Sequence, residues 1–544
     1  MRKKSIQKMA FVDPYGKNVK HVKKFIYKII DELLNKVSNA EKFPPLPKKI
    51  KNFDKFNLND LPISESQILK QIKIIITNSM NASNPYYLGH MDSLPTTMSI
   101  VGDIICSTIN NNMLSKETAP ILIEIERKVT TNLANKFNLG QNSGGIMLAG
   151  GSLSNIQAIA LARNRILGSF EKGLMGLKRK PYIFASKESH TSIQKAAMVL
   201  GLGTNSVVPI QTNKDGMIQI SNLDKSIREK INNNGFPFCI VATAGTTITG
   251  SVDDLNEVSK IADKYKLWMH TDAVYGGALT FSDKFKNKLN GIENSDSISF
   301  NPQKWLYITK TCSVLLLKNK KYLYSDFFTP LPYVKKNKDE YHEGEITLQG
   351  SRYPDILKLW LSLQHLGNFS YSEIIEDTIK YTHLLKKKLL EINNIKIACE
   401  PQMNIICFRY ETRNKNQEEN NLINLNFQKF LFNKHNIFFS IVKYNNIKWL
   451  RAVLLNPFFN LRHIKKICIS ISEFAKENKL VFAALVSIIG IVILQFSLGA
   501  ITVLSERSPY IASFHVVTGA ALLGACTLFI LRTHPIKWTD WRNG

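Results

Sequence analysis

Apolar positions in residues 19–37 (VKHVKKFIYKIIDELLNKV) recur every three or four residues, which predicts an amphipathic helix. The FPPLPKK run at 43–49 cannot extend it, so residues 1–84 read as an extended, partly helical arm. From residue 85 to 344 the rhythm changes. Short apolar runs alternate with amphipathic segments: GIMLAG (145–150), PYIFAS (181–186), FCIVATAG (238–245), LWMHTDA (267–273) and CSVLLL (312–317). Strands alternating with helices predict an α/β domain around a mostly parallel sheet, with ligands at the carboxyl ends of the strands. Residues 345–478 read as a smaller α+β domain that opens on the helix ILKLWLSLQHLG and closes on ISISEFAKENK.

The end of the chain follows a different pattern. Residues 480–505 are 26 positions without a charge, and residues 508–531 are 24 positions without Lys, Arg, Asp or Glu. About 20 apolar residues cross a bilayer core, so residues 479–544 read as a transmembrane hairpin turning at Glu506 and Arg507. The lysines before Leu480, with Arg532 and Lys537 after the second span, place both ends and the large preceding part on the cytoplasmic side. The 71 Lys and Arg against 43 Asp and Glu give a net charge of +28, which suits a surface facing anionic lipid. These charges are scattered, with no arginine-rich arm and no recognisable nucleic-acid module, so no nucleic-acid partner is expected. Seven cysteines lie far apart, with no CxxC and no Cys/His cluster, which argues against a disulfide framework and a structural zinc site.

One lysine stands apart from the solvated majority. Lys304 lies in SFNPQKWLYIT (299–309), between a proline turn and apolar residues, where an ammonium is costly to desolvate unless chemistry or pairing offsets it. Holding an aldehyde as an imine is one such chemistry. Four stretches can build the aldehyde's site. LAGGSLSNIQAIALARNR (148–165) is a strand, a small-residue turn and a helix start, whose N–H groups near Gly151 and Ser152 suit a phosphate. KESHTSIQKAA (187–197) sets His190 before a helix. VATAGTTITGSVDD (241–254) puts Gly245, Thr246 and Thr247 at one strand end, and LWMHTDAVYGGA (267–278) puts Asp272 at another. Singly, each has a plain structural reading as a helix start, a satisfied histidine or a helix cap. Together they match pyridoxal 5'-phosphate, which needs a lysine, an anion cradle, an acid at its pyridine nitrogen and flat groups against its ring.

The ordered set GGSLSN, SHTS, AGTT, HTDAVYGG and NPQKW resembles the fold-type I, group II pyridoxal-phosphate-dependent amino acid decarboxylases, which include glutamate, cysteine sulfinate and aromatic amino acid decarboxylases. The similarity runs from NPYYLGHMDS (84–93) to WLRAVLLNPF (449–458). It implies a fold-type I large domain with Lys304 as the Schiff-base lysine and Asp272 as partner of the pyridine nitrogen. His190 would stack on one ring face, with Ala273 against the other. Gly151 and Ser152 would bind the phosphate, and Thr246 would lie on the substrate side. Asn301 and Gln303 would shape the turn presenting Lys304, Gln303 standing where the family usually has His. In TLQGSRYPDILKLW (347–360), Arg352 matches the arginine that holds the substrate carboxylate in the glutamate-type branch.

The reaction so implied is loss of CO2 from an L-amino acid to give the amine, with a tyrosine of a mobile loop returning a proton to Cα. That loop falls at 327–345, and the tyrosine's position falls near Asn337, flanked by Tyr333 and Tyr341. A homodimer is also implied, with its active site at the subunit interface and residues 1–84 exchanged between subunits. Two alternatives stay open. One is a C–C lyase of the sphingosine-phosphate lyase type, which shares the lysine and aspartate. The other is a membrane scaffold or haem-associated protein with an inactive decarboxylase-like domain. The QGSR and LRAVLLNPF segments favour decarboxylation, and the intact Lys304, Asp272 and His190 favour an enzyme. Residues 492–531 resemble the last transmembrane pair of heme A synthase, which implies a haem ligand at His515; a plain anchor is the alternative reading.

Overall fold

A computed structural model describes residues 9–48, 56–334, 341–413, 415–506 and 508–533, and the chain divides into two compact units, Met1–His463 and Ile464–Gly544. The first unit is built on seven strands: β1 (Gly144–Leu148), β2 (Pro181–Ser186), β3 (Val207–Ile210), β4 (Phe236–Thr243), β5 (Trp268–Asp272), β6 (Ser297–Phe300) and β7 (Ser313–Leu317). Their order is β1-β7-β6-β5-β4-β2-β3. Strands β3, β2, β4, β5 and β6 pair in parallel, and β7 runs antiparallel to β6 and β1. Period-2 geometry sends alternate side chains to opposite faces. Val314 and Leu316 therefore join one core, while Leu315 and Leu317 join the other, and helices cover both.

All five apolar runs are strands. The two further strands lack such a run for different reasons. Strand β3 (VVPI) is a sheet edge, where a proline costs no ladder bond. Strand β6 (SISF) alternates serines with Ile298 and Phe300; its Ser297 hydroxyl accepts from Trp268 Nε1 at 2.9 Å, so a polar residue is satisfied in the interior. Because six of the seven strands run the same way, the ends of β1, β2, β4, β5 and β6 open on one edge of the sheet, and the loops after them can converge there.

A second, antiparallel sheet has the order β10-β11-β9-β8 and is formed by β8 (Ile395–Ile397), β9 (Ile405–Tyr410), β10 (Ser440–Tyr444) and β11 (Ile447–Val453). Asn445 and Asn446, both at positive φ (48° and 63°), make the two-residue turn between β10 and β11. Residues 1–84 carry the helices Val19–Ser38 and Glu65–Asn78, which are joined by a Lys73–Glu32 ion pair (2.6 Å) and a hydrogen bond between His21 Nε2 and Glu65 Oε1 (2.7 Å).

Arg352 is not available to a substrate. Its guanidinium is buried with Glu126, donating from Nη1 at 3.0 and 3.1 Å, and it also donates to the carbonyls of Met147 (2.9 Å) and Met113 (3.2 Å). Glu126 in turn accepts the Met147 N–H at 2.9 Å. The arginine thus clamps the helix Pro120–Lys136 to β1, and the expectation that it holds a substrate carboxylate is corrected.

The second unit contains the greater part of the helix Leu461–Leu504 and the helix Pro509–Thr533. Within them Ser487–Leu504 and Pro509–Ile530 are long and apolar enough to cross a membrane, and neither is buried against protein. Glu506 at positive φ (51°) turns the chain between them. Gln495 Oε1 accepts from the Thr518 hydroxyl, and the Gln495 amide lies 3.5 Å from His515 Nε2, so polar groups meet across the two helices. A haem held by two histidines would need a second one. Among the described residues of this unit His515 is the only histidine.

Removing one partner of a buried ion pair strands the other charge. Arg352→Ala is therefore expected to lower stability by ~3–5 kcal/mol, with Arg352→Met plus Glu126→Leu recovering most of the loss. Chemical unfolding of the full chain checks this. A loss below ~1 kcal/mol for Arg352→Ala would contradict the clamp.

Candidate active site

The loops at that sheet edge enclose a cavity of about 290 Å³. Its floor comes from the β1–helix turn: Ala149, Gly150, Gly151 and Ser152, with Gly150 at φ 103° serving as an N-cap that brings no side chain. The Asn301 amide lies 3.1 Å from Gly151 N and 2.5 Å from Ser313 Oγ; with its oxygen toward Gly151, both contacts are satisfied. A Cβ on Gly151 would come within 2.8 Å of Val274 Cγ2, so the turn fits its wall only without a side chain. Thr243 Oγ1, buried in the same wall, has no partner among the described residues. A helix N-terminus without a capping side chain, close-packed glycines and a spare hydroxyl together fit a phosphate-bearing ligand.

Lys304 enters the cavity from the turn after β6, where its N–H donates to the Asn301 carbonyl at 3.1 Å. The turn is anchored from behind. Trp305, Leu306, Tyr307 and Ile308 are all buried; Trp305 Nε1 donates to Thr378 Oγ1 (3.3 Å), and Tyr371 Oη donates to the Leu306 carbonyl (3.0 Å). Tyr275 stacks on Trp305 at 5.2 Å and lies beneath the Lys304 amine at 5.9 Å. Burial pushes the Lys304 amine down to about 8, against the opposing pull of Asp272 and Asp92. Gln303 also lines the cavity; its side-chain oxygen accepts the Cys312 N–H at 2.5 Å, which leaves the amide nitrogen as its donor.

Asp272 ends β5, buried but facing the cavity, with Oδ1 accepting from Val274 N (3.2 Å) and Oδ2 from Asn155 Nδ2 (3.0 Å). His190 stands at the cavity's rim after β2. Its Nδ1 accepts the Ser192 N–H at 3.2 Å, which places the proton of the neutral ring on Nε2. Burial lowers its pKa, with Lys304 and Lys195 acting in the same sense against Asp272.

The other expected residues lie elsewhere. Thr246 does not line the cavity: its hydroxyl bonds Thr249 Oγ1 (2.8 Å) and accepts from Ser251 N (3.0 Å), so its neighbours Gly245 and Thr247 form the wall. Ala273 is fully buried behind the wall, its N–H donating to Ser299 O at 3.0 Å. Tyr341 packs on Tyr324 (4.4 Å) beside a different cavity, and Tyr333 is 72% exposed; neither lines the Lys304 cavity. Asn337 lies outside the described residues.

Two groups near Lys304 escaped the sequence reading. Tyr275 is one. The other is Arg451 on β11, which is 4% exposed and donates to the carbonyls of Gly89 (2.8 Å) and Thr247, to Ser440 Oγ (3.1 Å) and toward His90 Nδ1 (3.2 Å). No carboxylate pairs with it among the described residues. The segment WLRAVLLNPF contains it, but only the fold brings it beside the β4 loop.

Known proteins resemble this chain in sequence and in fold. Residues 47–411 match the pyridoxal-dependent decarboxylase conserved domain. The acidic amino acid decarboxylase GADL1 of Mus musculus is 29% identical over 370 residues, 67% of this chain and 67% of that protein. The crystal structure of mouse CSAD superposes with a TM-score of 0.78 at 25% identity, covering 85% of this chain and 99% of that one. The Oryza sativa TDC crystal structure with PLP and tryptamine shares the fold, with a TM-score of 0.80 at 20% identity over 86% of this chain and 99% of that one. With the conserved domain spanning more than half of its length, the chain belongs to the pyridoxal-dependent decarboxylase family and is a pyridoxal-phosphate-dependent amino acid decarboxylase.

Proposed function

We propose that the substrate is an acidic amino acid, held through its side-chain carboxylate by Arg451. The observation that carries this is a buried guanidinium, beside the Lys304 cavity, with no acid of its own. An ion pair to the carboxylate that leaves as CO2 would stabilise the ground state and slow the reaction. A buried cation is better matched to the second, retained carboxylate. The name of the GADL1 relative agrees with this choice.

Pyridoxal phosphate, when bound, supplies the sink for the electron pair left as CO2 departs. In this reading Lys304 Nζ would hold the cofactor's aldehyde carbon, and a pKa near 8 keeps a useful fraction of the amine uncharged for that task. Asp272 would pair with the pyridine nitrogen. His190 would cover one ring face, and Ser152, Gly151 and the Gln303 amide, which line the cavity, would meet the phosphate. Asn301 orders the cradle by engaging Gly151. Proton return to Cα falls to Tyr341 or Tyr333 of a second copy in a homodimer. Ile100, Ile104, Ile105 and Ile109, exposed along one side of the helix Thr97–Ile109, support such an association. The proposed functional parts are residues 1–84, an arm; 85–344, the cofactor domain; 345–478, the small domain; and 479–544, the membrane hairpin. The hairpin anchors the enzyme with its catalytic part in the cytoplasm, and His515 serves packing with Gln495 rather than haem.

Three outcomes are expected. Lys304→Ala should abolish CO2 release and the absorbance of lysine-bound cofactor, and in the native apo-protein cofactor capture should quicken as pH rises through about 8, the uncharged amine being the reactive form. Arg451→Met should raise KM for acidic substrates by about 100-fold, consistent with the loss of ~2–3 kcal/mol of charged hydrogen bonding, with a smaller effect on kcat; equal loss for aromatic and acidic amino acids would sink the assignment. The full chain should float with lipid vesicles and resist alkaline extraction, whereas a chain ending at 478 should stay in the soluble fraction; equal behaviour of the two would remove the anchor.

A further inference from the structure

Behind Asp272 lies a run of buried polar side chains that the reading above leaves unused. Trp268 Nε1 donates to Ser297 Oγ at 2.9 Å, and Ser297 Oγ lies 2.9 Å from His270 Nδ1. His270 Nε2 lies 3.0 Å from Asn155 Oδ1, with Ser299 Oγ at 3.4 Å from the same nitrogen. Asn155 Nδ2 then donates to Asp272 Oδ2 at 3.0 Å and to Ser192 Oγ at 2.8 Å, and Ser192 Oγ is 2.9 Å from His190 Nδ1. All of these residues except His190 are buried, His270 fully.

The donor and acceptor inventory leaves this chain one direction. Indole N–H can only donate, so Ser297 accepts from Trp268 and its own proton points at His270 Nδ1. Asp272 accepts only, so Asn155 presents its NH2 to Asp272 and Ser192, and its oxygen to His270. His270 must then carry its one proton on Nε2. Burial holds its pKa down at about 4, so it stays neutral at working pH and cannot reverse the chain by taking a second proton.

We propose that Asn155 and His270 are positioning residues that deliver a fixed hydrogen-bond donor to Asp272, orienting its carboxylate toward the cavity where a bound cofactor would present its pyridine nitrogen, with Asn155 also tying in His190 through Ser192. The Asn155 donor occupies one carboxylate oxygen and so fixes the direction of the other, through which Asp272 would hold the proton of a bound cofactor's pyridine nitrogen, the proton its electron sink needs. The charged or titratable groups facing Asp272 are Lys304, His190 and His270, and only His270 is isolated from the cavity.

The test compares two amide replacements of similar size. His270→Gln keeps a donor where Nε2 stands, whereas His270→Asn reaches only as far as Nδ1 and gives Asn155 nothing. Asn155→Ala removes the link itself. Binding of pyridoxal phosphate to each apo-protein is followed by fluorescence, and the absorbance of lysine-bound cofactor is titrated against pH. His270→Asn and Asn155→Ala should bind the cofactor about tenfold more weakly, the loss expected for one hydrogen bond to a charged group. Both should move the absorbance midpoint to higher pH, because a less protonated ring holds the imine proton more tightly. His270→Gln should return both readouts toward the native values. The double variant His270→Asn/Asn155→Ala should be no worse than either single one, since the links act in series. An unmoved midpoint with lowered thermal stability alone, a His270→Gln protein as impaired as His270→Asn, or additive losses in the double variant would each overturn the proposal.

Discussion

Burial of the Lys304 amine is the constraint around which the first unit is arranged. An ammonium loses hydration in such a place, and its pKa falls to about 8. The protein holds it there by fixing the backbone on both sides: Asn301 accepts the lysine's N–H, and four consecutive buried residues follow it. The same edge of the sheet must supply an opposite charge, and Asp272 arrives at the end of the neighbouring parallel strand. Parallel strands make this juxtaposition inexpensive, because consecutive strand ends open on one side without further design. The cavity, the glycine-rich helix start and the histidine rim are consequences of that shared direction.

The parts of this arrangement that were legible in the sequence are local ones. Apolar runs of six to eight residues announced β1, β2, β4, β5 and β7, because a strand buried on both faces needs no polar alternation. Strand β6 hid because its serines are satisfied by partners far away in sequence, Trp268 and His270. Asp272, His190, Gly151 and Lys304 stood out as chemistry-bearing residues beside strand ends, and all four line one cavity. Thr246 and Thr247 show the limit of that approach. They are adjacent and chemically alike, and only the hydroxyl network through Thr249 and Ser251 decides which of them the loop turns inward.

The two arginines illustrate the same limit at long range. Arg352 and Arg451 both sit in segments resembling the family, and both are buried. What separates them is a partner: Glu126 neutralises Arg352 from 226 positions away, while among the described residues Arg451 donates to neutral acceptors. Ion-pair commitment is a tertiary property, so no spacing rule could rank them. The two apolar helical stretches of the second unit were legible for the converse reason, since helix length and lack of charge are properties of a continuous segment; that the first continues the helix begun at Leu461, so that the unit starts at Ile464 rather than 479, was not.

The proposed function requires that Lys304 be the residue that carries the cofactor. Borohydride reduction of the holoenzyme, followed by digestion and mass spectrometry, tests this directly because it converts the lysine–cofactor bond into a stable label. The label is expected on one peptide, the one containing Lys304, at close to one per chain. A label on another lysine, or none while the protein retains its cofactor absorbance, would contradict it.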